Sequence, residues 1–432
     1  MLDINFIRQN ADRVAEAAAQ KGYAVDIDRL LGLDKQRRDL IGQIEALRHQ
    51  RNQLAESGVK GAKPNEEQVN RGRQLKTQLS ELEDRLQSSE HEYLNLLKAV
   101  PNLPTDDVPV GASEDDNVVS KTVGEPAKFD FTPKNHWEIG EQRGWIDKAR
   151  AAKVAGSRFA YLKGDLVLLQ WALMQFGLSV LTDEAALQSI IAANDLKLSS
   201  KPFLPVLPPA VARTEVYEAT GRLNGSEMTY KLEDEDLWLN ASAEHTLCPM
   251  HSDEIIDEAD LPLRYVGYTT AFRREAGTYG KDMEGILRLH QFDKLEMESF
   301  TAPENSYQEH LLMIAIQEHL MSRLGLPYQV ILKCTADIGK PNARGVDINV
   351  WLPGQNRYRE THTADLITDY QARRLNTRLR RAGGGLELAH TNDATAFSQR
   401  PLIAILENYQ TADGKVTVPE VLRPFMGGRE VI

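Results

Sequence analysis

Phe272-Arg-Arg-Glu-Ala-Gly277, followed by Arg288-Leu-His-Gln-Phe-Asp-Lys-Leu-Glu296, decides how this chain is read: the end of one strand, then a returning strand. An Arg at a strand end can grip a phosphate, and because strand side chains alternate, a Glu two residues on points to the same face. Arg273 and Glu275 stand in that relation, while Phe292 on the returning strand offers a flat apolar surface for a base. Arg400 opens the apolar run Pro401–Leu406, and Tyr358-Arg-Glu360 supplies a carboxylate able to hold a magnesium ion. Spacing alone also admits plain surface ion pairs.

Other phosphate-binding devices are missing from the sequence. There is no G-x-x-x-x-G-K-[ST], and no G-x-G-x-x-G follows a strand, so phosphate handling falls to charged side chains. Ten scattered histidines give no zinc constellation. Around the site, apolar helical stretches (Tyr161–Leu181, His310–Leu324) alternate with β-leaning runs such as Tyr328–Lys333 and Val346–Leu352. That mixture lacks a regular β-α repeat and predicts an α+β fold. Gly383-Gly-Gly385 reads as a mobile loop, and Pro101–Gly124, with its prolines and acidic cluster, reads as a linker.

Upstream of that linker the pattern changes. Leu30, Leu33, Leu40, Ile44, Leu47 and Leu54 form one apolar stripe; Leu75, Leu79, Leu82, Leu86, Tyr93 and Leu96 form another, with Ser89 in the vacant slot. Ser57–Pro64 carries the Gly and Pro that turn a chain, so the two stripes predict an antiparallel helical hairpin with limbs of roughly 40 Å. Such a hairpin is either a structural or dimerising element or a reaching arm. Lys60, Lys63, Arg71, Arg73 and Lys76 near its tip suit a phosphate-rich partner, although Glu66 and Glu67 dilute that charge.

The 432 residues carry 63 acidic and 51 basic side chains, a formal charge of −12, which argues against a general nucleic-acid binder but leaves room for one basic surface. Apolar residues make up 41%, enough for a buried core, and no run approaches a membrane span. Two cysteines without a C-x-x-C, and a charged start MLDINFIRQN, fit a soluble protein of a reducing compartment.

Several segments in order resemble the bacterial-type seryl-tRNA synthetases, of the class II aminoacyl-tRNA synthetases. They are the opening MLDINFIRQN with its hairpin, Ala152-Lys-Val-Ala-Gly-Ser-Arg-Phe159, Pro209 in the motif 1 place, FRREAG with HQFDKLE as motif 2, Gln371-Ala-Arg-Arg374, and Ile405-Leu-Glu-Asn-Tyr-Gln410. The resemblance implies a coiled-coil tRNA-binding arm in domain 1–110 and a class II catalytic domain on a mostly antiparallel sheet in 111–432. It implies ATP and Mg²⁺, a cytoplasmic homodimer, no membrane, and transfer of serine to the 3′ end of serine tRNA, whose long variable arm the hairpin of one subunit would hold.

Residue by residue, the resemblance gives Arg273 the α-phosphate and amino-acid carboxylate, Glu275 the adenine amino group, Phe292 the adenine face and Arg400 the γ-phosphate. Glu360 and Thr363 match the family's E-x-x-S pair near ATP and magnesium, with Glu360 the metal ligand. Ser242 and Glu244 stand for T-x-E, Glu296 for the carboxylate facing serine, and Asn392 and Ala394 fall in the family's N-G-S, which reads Asn392-Asp-Ala394 here. Thus a serine-contacting hydroxyl is replaced by a methyl unless Thr395 or Asp393 compensates. The segment His362–Leu366 and Arg344–Asn349 also depart, and Glu284 replaces a motif 2 loop arginine. These changes leave two further expectations open: a divergent paralogue charging another small amino acid or serving a biosynthetic pathway, and a catalytically inactive tRNA-binding homologue.

Overall fold

The computed structural model describes residues 1–56, 65–223, 228–275 and 284–432. The Ser57–Pro64 turn with Lys60 and Lys63, the Asn224–Glu227 segment, and residues 276–283, including Gly277 of motif 2, lie outside the described residues. The chain divides into two compact units, Met1–Leu103 and Pro104–Ile432.

In the first unit, α1 (Ile4–Gln9) and α2 (Ala11–Gln20) precede two long helices, α3 (Ile27–Glu56) and α4 (Glu66–Ala99). The apolar stripes face each other: Leu30, Leu33, Leu40 and Ile44 on α3 and Leu75, Leu79, Ser89 and Tyr93 on α4 are buried. The last slot is filled by Leu97 rather than Leu96. Asn65 caps α4 reciprocally with Gln68. Cross-helix pairs Arg29–Glu92 (2.8 Å), Arg37–Glu90 (2.8 Å) and Arg48–Glu83 (2.8 Å) confirm the antiparallel register, since one number rises as the other falls. At the root, Arg8 grips the buried Asp34 with two hydrogen bonds, 2.6 and 2.8 Å. That pair explains how an acid tolerates an apolar stripe.

The second unit is built on one eight-stranded sheet, whose strands alone are numbered here: β1 (Val118–Val123), β2 (Leu204–Val206), β3 (Leu263–Phe272), β4 (Gln291–Thr301), β5 (Tyr328–Leu332), β6 (Arg344–Leu352), β7 (Arg357–Thr368) and β8 (His390–Ser398). Their order is β1-β5-β6-β7-β8-β4-β3-β2, and every pairing is antiparallel except β2 with β3. One face packs on α5 (Asp165–Leu181), α6 (Ser306–Arg323) and α7 (Arg400–Asn408), burying Leu173, Leu295, Met297, Leu312, Ile316, Ile348, Ala394 and Phe397 in one core. The opposite face carries the polar residues of the site and, beside them, a smaller apolar cluster of Tyr265 and Phe300 with Ala243, Leu247 and Leu379.

One local expectation changes. The supposed linker contains β1, an edge strand whose side chains are mostly exposed although three of the six are valine. Gly383–Gly385 forms the tight end of the hairpin Arg378–Arg380/Leu386–Leu388, closed by Arg381 N–H to Gly385 O at 2.8 Å. Among the described residues no single helix is long and apolar enough to cross a membrane.

Candidate active site

The strand pair β3/β4 forms as its sequence predicts, with Phe272 opposite Gln291. Phe292, Lys294 and Glu296 alternate onto one face of β4 and line a cavity of about 340 Å³. From β7 come Thr361, Thr363 and Asp365; from β8 come Asp393 and Thr395; Arg222, Glu244, Arg273, Glu275, Arg288, Lys333, Asp337, Glu360 and Arg400 also line it.

One end is arranged for a nucleotide. Arg273 follows β3, with its N–H bonded to His290 O (2.9 Å), and its guanidinium lies 5.2 Å from the Phe292 ring centre. Glu275 is buried in a left-handed backbone conformation (φ 51°), and its carboxylate is engaged by Arg288. Arg400 Nη1 donates to Glu360 O (2.9 Å) and lies 3.0 Å from Glu360 Oε1. Burial works to raise the Glu360 pKa, but Arg400 and Lys333 outweigh it and bring the group to about 2. Thr363 Oγ1 donates to Asp347 Oδ1 at 2.7 Å, leaving the hydroxyl's lone pairs free for a cation. Burial pushes Asp347 up to about 7 although Lys333 Nζ lies 3.3 Å away.

The other end concentrates carboxylates. Glu244, Glu296 and Asp393 bring oxygen atoms within 4.8 Å of one another. Glu296 is pushed up to about 7 by burial against the pull of Lys294, whose Nζ lies 2.6 Å away. Lys294 also donates to Ser242 Oγ at 3.1 Å, so Ser242 stands behind the lysine. His245 Nδ1 accepts the Ala241 N–H (3.1 Å), which places the ring proton on Nε2, 3.1 Å from Glu244.

Three expected pocket residues do not line it: Ser242, behind Lys294, and Asn392 and Ala394. Asn392 and Ala394 occupy the alternate face of β8: Asn392 Nδ2 reaches Ser299 Oγ (3.4 Å), and Ala394 packs in the apolar core. The β period of two turns Asp393 and Thr395 inward instead. Glu284 is exposed, 3.7 Å from Lys148.

The sequence reading missed Arg222, Lys333 and His136. Arg222 follows a Thr220-Gly221 turn and is remote in sequence from its partners; Lys333 is a lone charge ending an apolar strand, a signal that was readable. His136 is wholly buried. Its Nε2 accepts the Ile286 N–H (3.1 Å), so the ring proton sits on Nδ1 and is donated to Glu407 Oε1 (2.9 Å). Glu407 also accepts His136 N–H (3.1 Å) and Gly354 N–H (3.0 Å). This relay fixes the backbone of Ile286 and Leu287, which form part of the cavity wall.

Comparison with known proteins gives consistent matches over both units. The family model "Seryl-tRNA synthetase N-terminal domain" matches residues 1–104, and "tRNA synthetase class II core domain (G, H, P, S and T)" matches 230–409. Serine–tRNA ligases of Thermodesulfovibrio yellowstonii and Symbiobacterium thermophilum are each 41% identical, over 99% and 98% of both chains respectively. The crystal structure of seryl-tRNA synthetase from Pyrococcus horikoshii complexed with ATP superposes with a TM-score of 0.87 at 36% identity, covering 100% of this chain and 99% of that one.

Proposed function

The chain belongs to the seryl-tRNA synthetase family, and on that premise we propose that its cavity joins serine to ATP and passes the seryl group to the 3′ end of serine tRNA. The observation that carries the reading is the pairing, in one cavity, of a cationic end (Arg273, Arg400) with an anionic end (Glu244, Glu296). ATP brings negative charge and the amino acid brings an ammonium, so each end attracts one reactant. The homologues favour this over a paralogue with another amino acid or an inactive binding protein.

Activation is an in-line attack of the serine carboxylate on the α-phosphate, between groups that repel each other. Catalysis therefore needs positioning and charge neutralisation, with no covalent nucleophile. In this reading Arg273 holds the carboxylate and α-phosphate together, Phe292 supports the adenine, and Arg400 meets the terminal phosphate. Glu275, held by Arg288, is presented to the adenine amino group. Glu360 and Thr363 offer the hard oxygen donors that suit Mg²⁺, which when bound neutralises phosphate charge. Asp347 holds the Thr363 proton away from that donor set.

The N-terminal hairpin is the proposed tRNA arm. Arg71, Arg73 and Lys76 are exposed on α4, so phosphate contacts there would weaken with salt. A homodimer and a cytoplasmic setting complete the proposal. It is tested by ATP–pyrophosphate exchange with serine, threonine, alanine, glycine and cysteine, followed by charging of serine tRNA. Serine winning the panel and yielding seryl-tRNA is the expected result. A different winner, or silence with tRNA present, overturns it.

A further inference from the structure

At the carboxylate end of the cavity lies an ion cluster in which Arg222, Asp365 and Asp393 have no role assigned above. Arg222 is 2.8 Å from Asp393, 3.1 Å from Asp365 and 3.2 Å from Glu244, and its side chain is only 15% exposed. Asp365 and Asp393 sit directly opposite each other on β7 and β8, a placement that repels unless a cation lies between them. Arg222 Nη2 bonds to both carboxylates. Its approach is fixed from behind: Gln371 Nε2 donates to Thr220 O (3.0 Å), and Arg222 N–H donates to Thr220 Oγ1 (3.2 Å).

Asp393 lines the cavity and meets Glu244 as well as Arg222, and as a carboxylate it offers about four lone-pair sites, more than those two neighbours take. Acceptors no more than 4.8 Å apart are spanned by one donor group through ordinary hydrogen bonds of about 2.8 Å. With an amino-acid ammonium between Glu244 and Glu296, the remaining acceptor is Asp393, at the position a short side chain reaches. Beyond it the Arg222 guanidinium fills the space.

We propose that Asp393 and Arg222 determine amino-acid specificity: Asp393 accepts the side-chain hydroxyl of bound serine, and Arg222 holds that carboxylate in place while closing the pocket to a larger side chain. The inference rests on the serine-activating reading above. Alanine is rejected because it leaves a buried acceptor stranded, and threonine because its methyl meets the fixed guanidinium. Asp393 thus supplies the polar contact that Ala394 lacks. Arg222 acts as a positioning residue.

The test is ATP–pyrophosphate exchange on full-length Asp393→Ala, Asp393→Asn and Arg222→Gln, with KM for serine and for ATP and with serine, alanine and threonine compared. Asp393→Ala is expected to lower the serine-over-alanine ratio of kcat/KM at least tenfold. Asp393→Asn, which keeps an acceptor oxygen, should restore it to within about threefold of the unmodified chain. Arg222→Gln is expected to raise the serine KM tenfold and improve threonine use, with the ATP KM within twofold. If Arg222→Gln does not fold, the Asp393 pair carries the test alone. Folded variants that keep both ratios within twofold overturn the assignment and reduce Arg222 to a counter-ion. An unmodified chain that prefers another amino acid overturns the function itself, and the hydroxyl assignment with it, before any variant is compared.

Discussion

Replacing Glu407 by Ala tests whether the buried relay behind the cavity wall holds the nucleotide end in shape. Three donors lose their acceptor: His136 N–H, His136 Nδ1–H and Gly354 N–H, at 3.1, 2.9 and 3.0 Å. His136 and Glu407 are both fully buried, so water does not replace the lost bonds. At about 1–3 kcal/mol for each stranded donor, the loss is about 3 kcal/mol at the least. In a unit this large each kcal/mol moves Tm by about 2 °C, giving a fall of about 6 °C or more. Glu407→Gln can keep its oxygen on His136 and turn its amide toward Gly354, so one bond is lost and the fall should be about a third as large. The freed His136 ring no longer fixes Ile286 N–H, and the ATP KM should rise about tenfold with the serine KM little changed. Gly285→Ala attacks the same ring from the other side. Its Cβ would stand 2.0 Å from His136 Nε2, at a backbone φ of +66° that disfavours any side chain. Thermal melting and ATP-dependent exchange on the three variants give the comparison. A Glu407→Ala protein that melts within 2 °C of the unmodified chain, with unchanged ATP KM, refutes the reasoning.

Four further outcomes follow from other parts of the molecule. Arg400→Ala should cut exchange about 100-fold while leaving Tm nearly unchanged, because Arg400 and Glu360 are 26% and 48% exposed and carry little fold energy. Glu309→Ala strands Arg264, whose pair is 0% and 1% exposed, and should cost about 3–5 kcal/mol, read as a large fall in Tm. Glu296 should make serine kcat/KM climb with pH around its value of about 7, because the ionised form takes the ammonium, and Glu296→Gln should abolish that rise. Its raised folded pKa also means that ionisation costs stability as pH climbs from about 4 toward 7. Asp34 behaves oppositely. Burial works upward on it, but Arg8 and Arg38 hold it below the ordinary carboxylate range. Its contribution is therefore present above about pH 4 and lost as pH falls through the lower folded value. Asp34→Asn should speed hydrogen exchange in α1 and α3 at pH 7, and the difference should shrink as pH falls through the folded value.

The hairpin was legible because its register is local: Leu30, Leu33, Leu40 and Ile44 mark one buried face within one helix. Only the frayed end slipped, from Leu96 to Leu97. Phe292 and Glu296 were legible for the same reason, being carried by one of two consecutive strands that fold back on each other, and Arg273 and Glu275 lie just past the end of the other, where Glu275 turns into a left-handed conformation instead of continuing the strand alternation. Asn392 and Ala394 were not, because a one-residue difference in which face a strand presents is decided by its pairing with β4 and β7, far away in sequence. Bulges at Thr395/Phe397 and Leu366/Thr368 interrupt any simple count. Arg222 lies 143 and 171 residues from Asp365 and Asp393, so no window of sequence contains the cluster. β1, with three valines in six residues, was readable as a strand but was absorbed into the stretch of prolines and acids that precedes it.

The 30 residues of α3 make a rod about 45 Å long whose root is clamped where Arg8 closes on Asp34. Such a rod is a lever. From Asp34 the rod extends about 33 Å to Glu56, so a tilt of about 5° at the clamp sweeps the far end through about 3 Å, roughly one hydrogen-bond length, while the root atoms shift by well under 1 Å. A force at the distal end returns to the clamp as a torque multiplied by the same length. The stiffness of one ion pair at the base therefore sets how sharply the distal end can be aimed. Loosening it would blur every contact made out there, with no change to the contacting residues themselves.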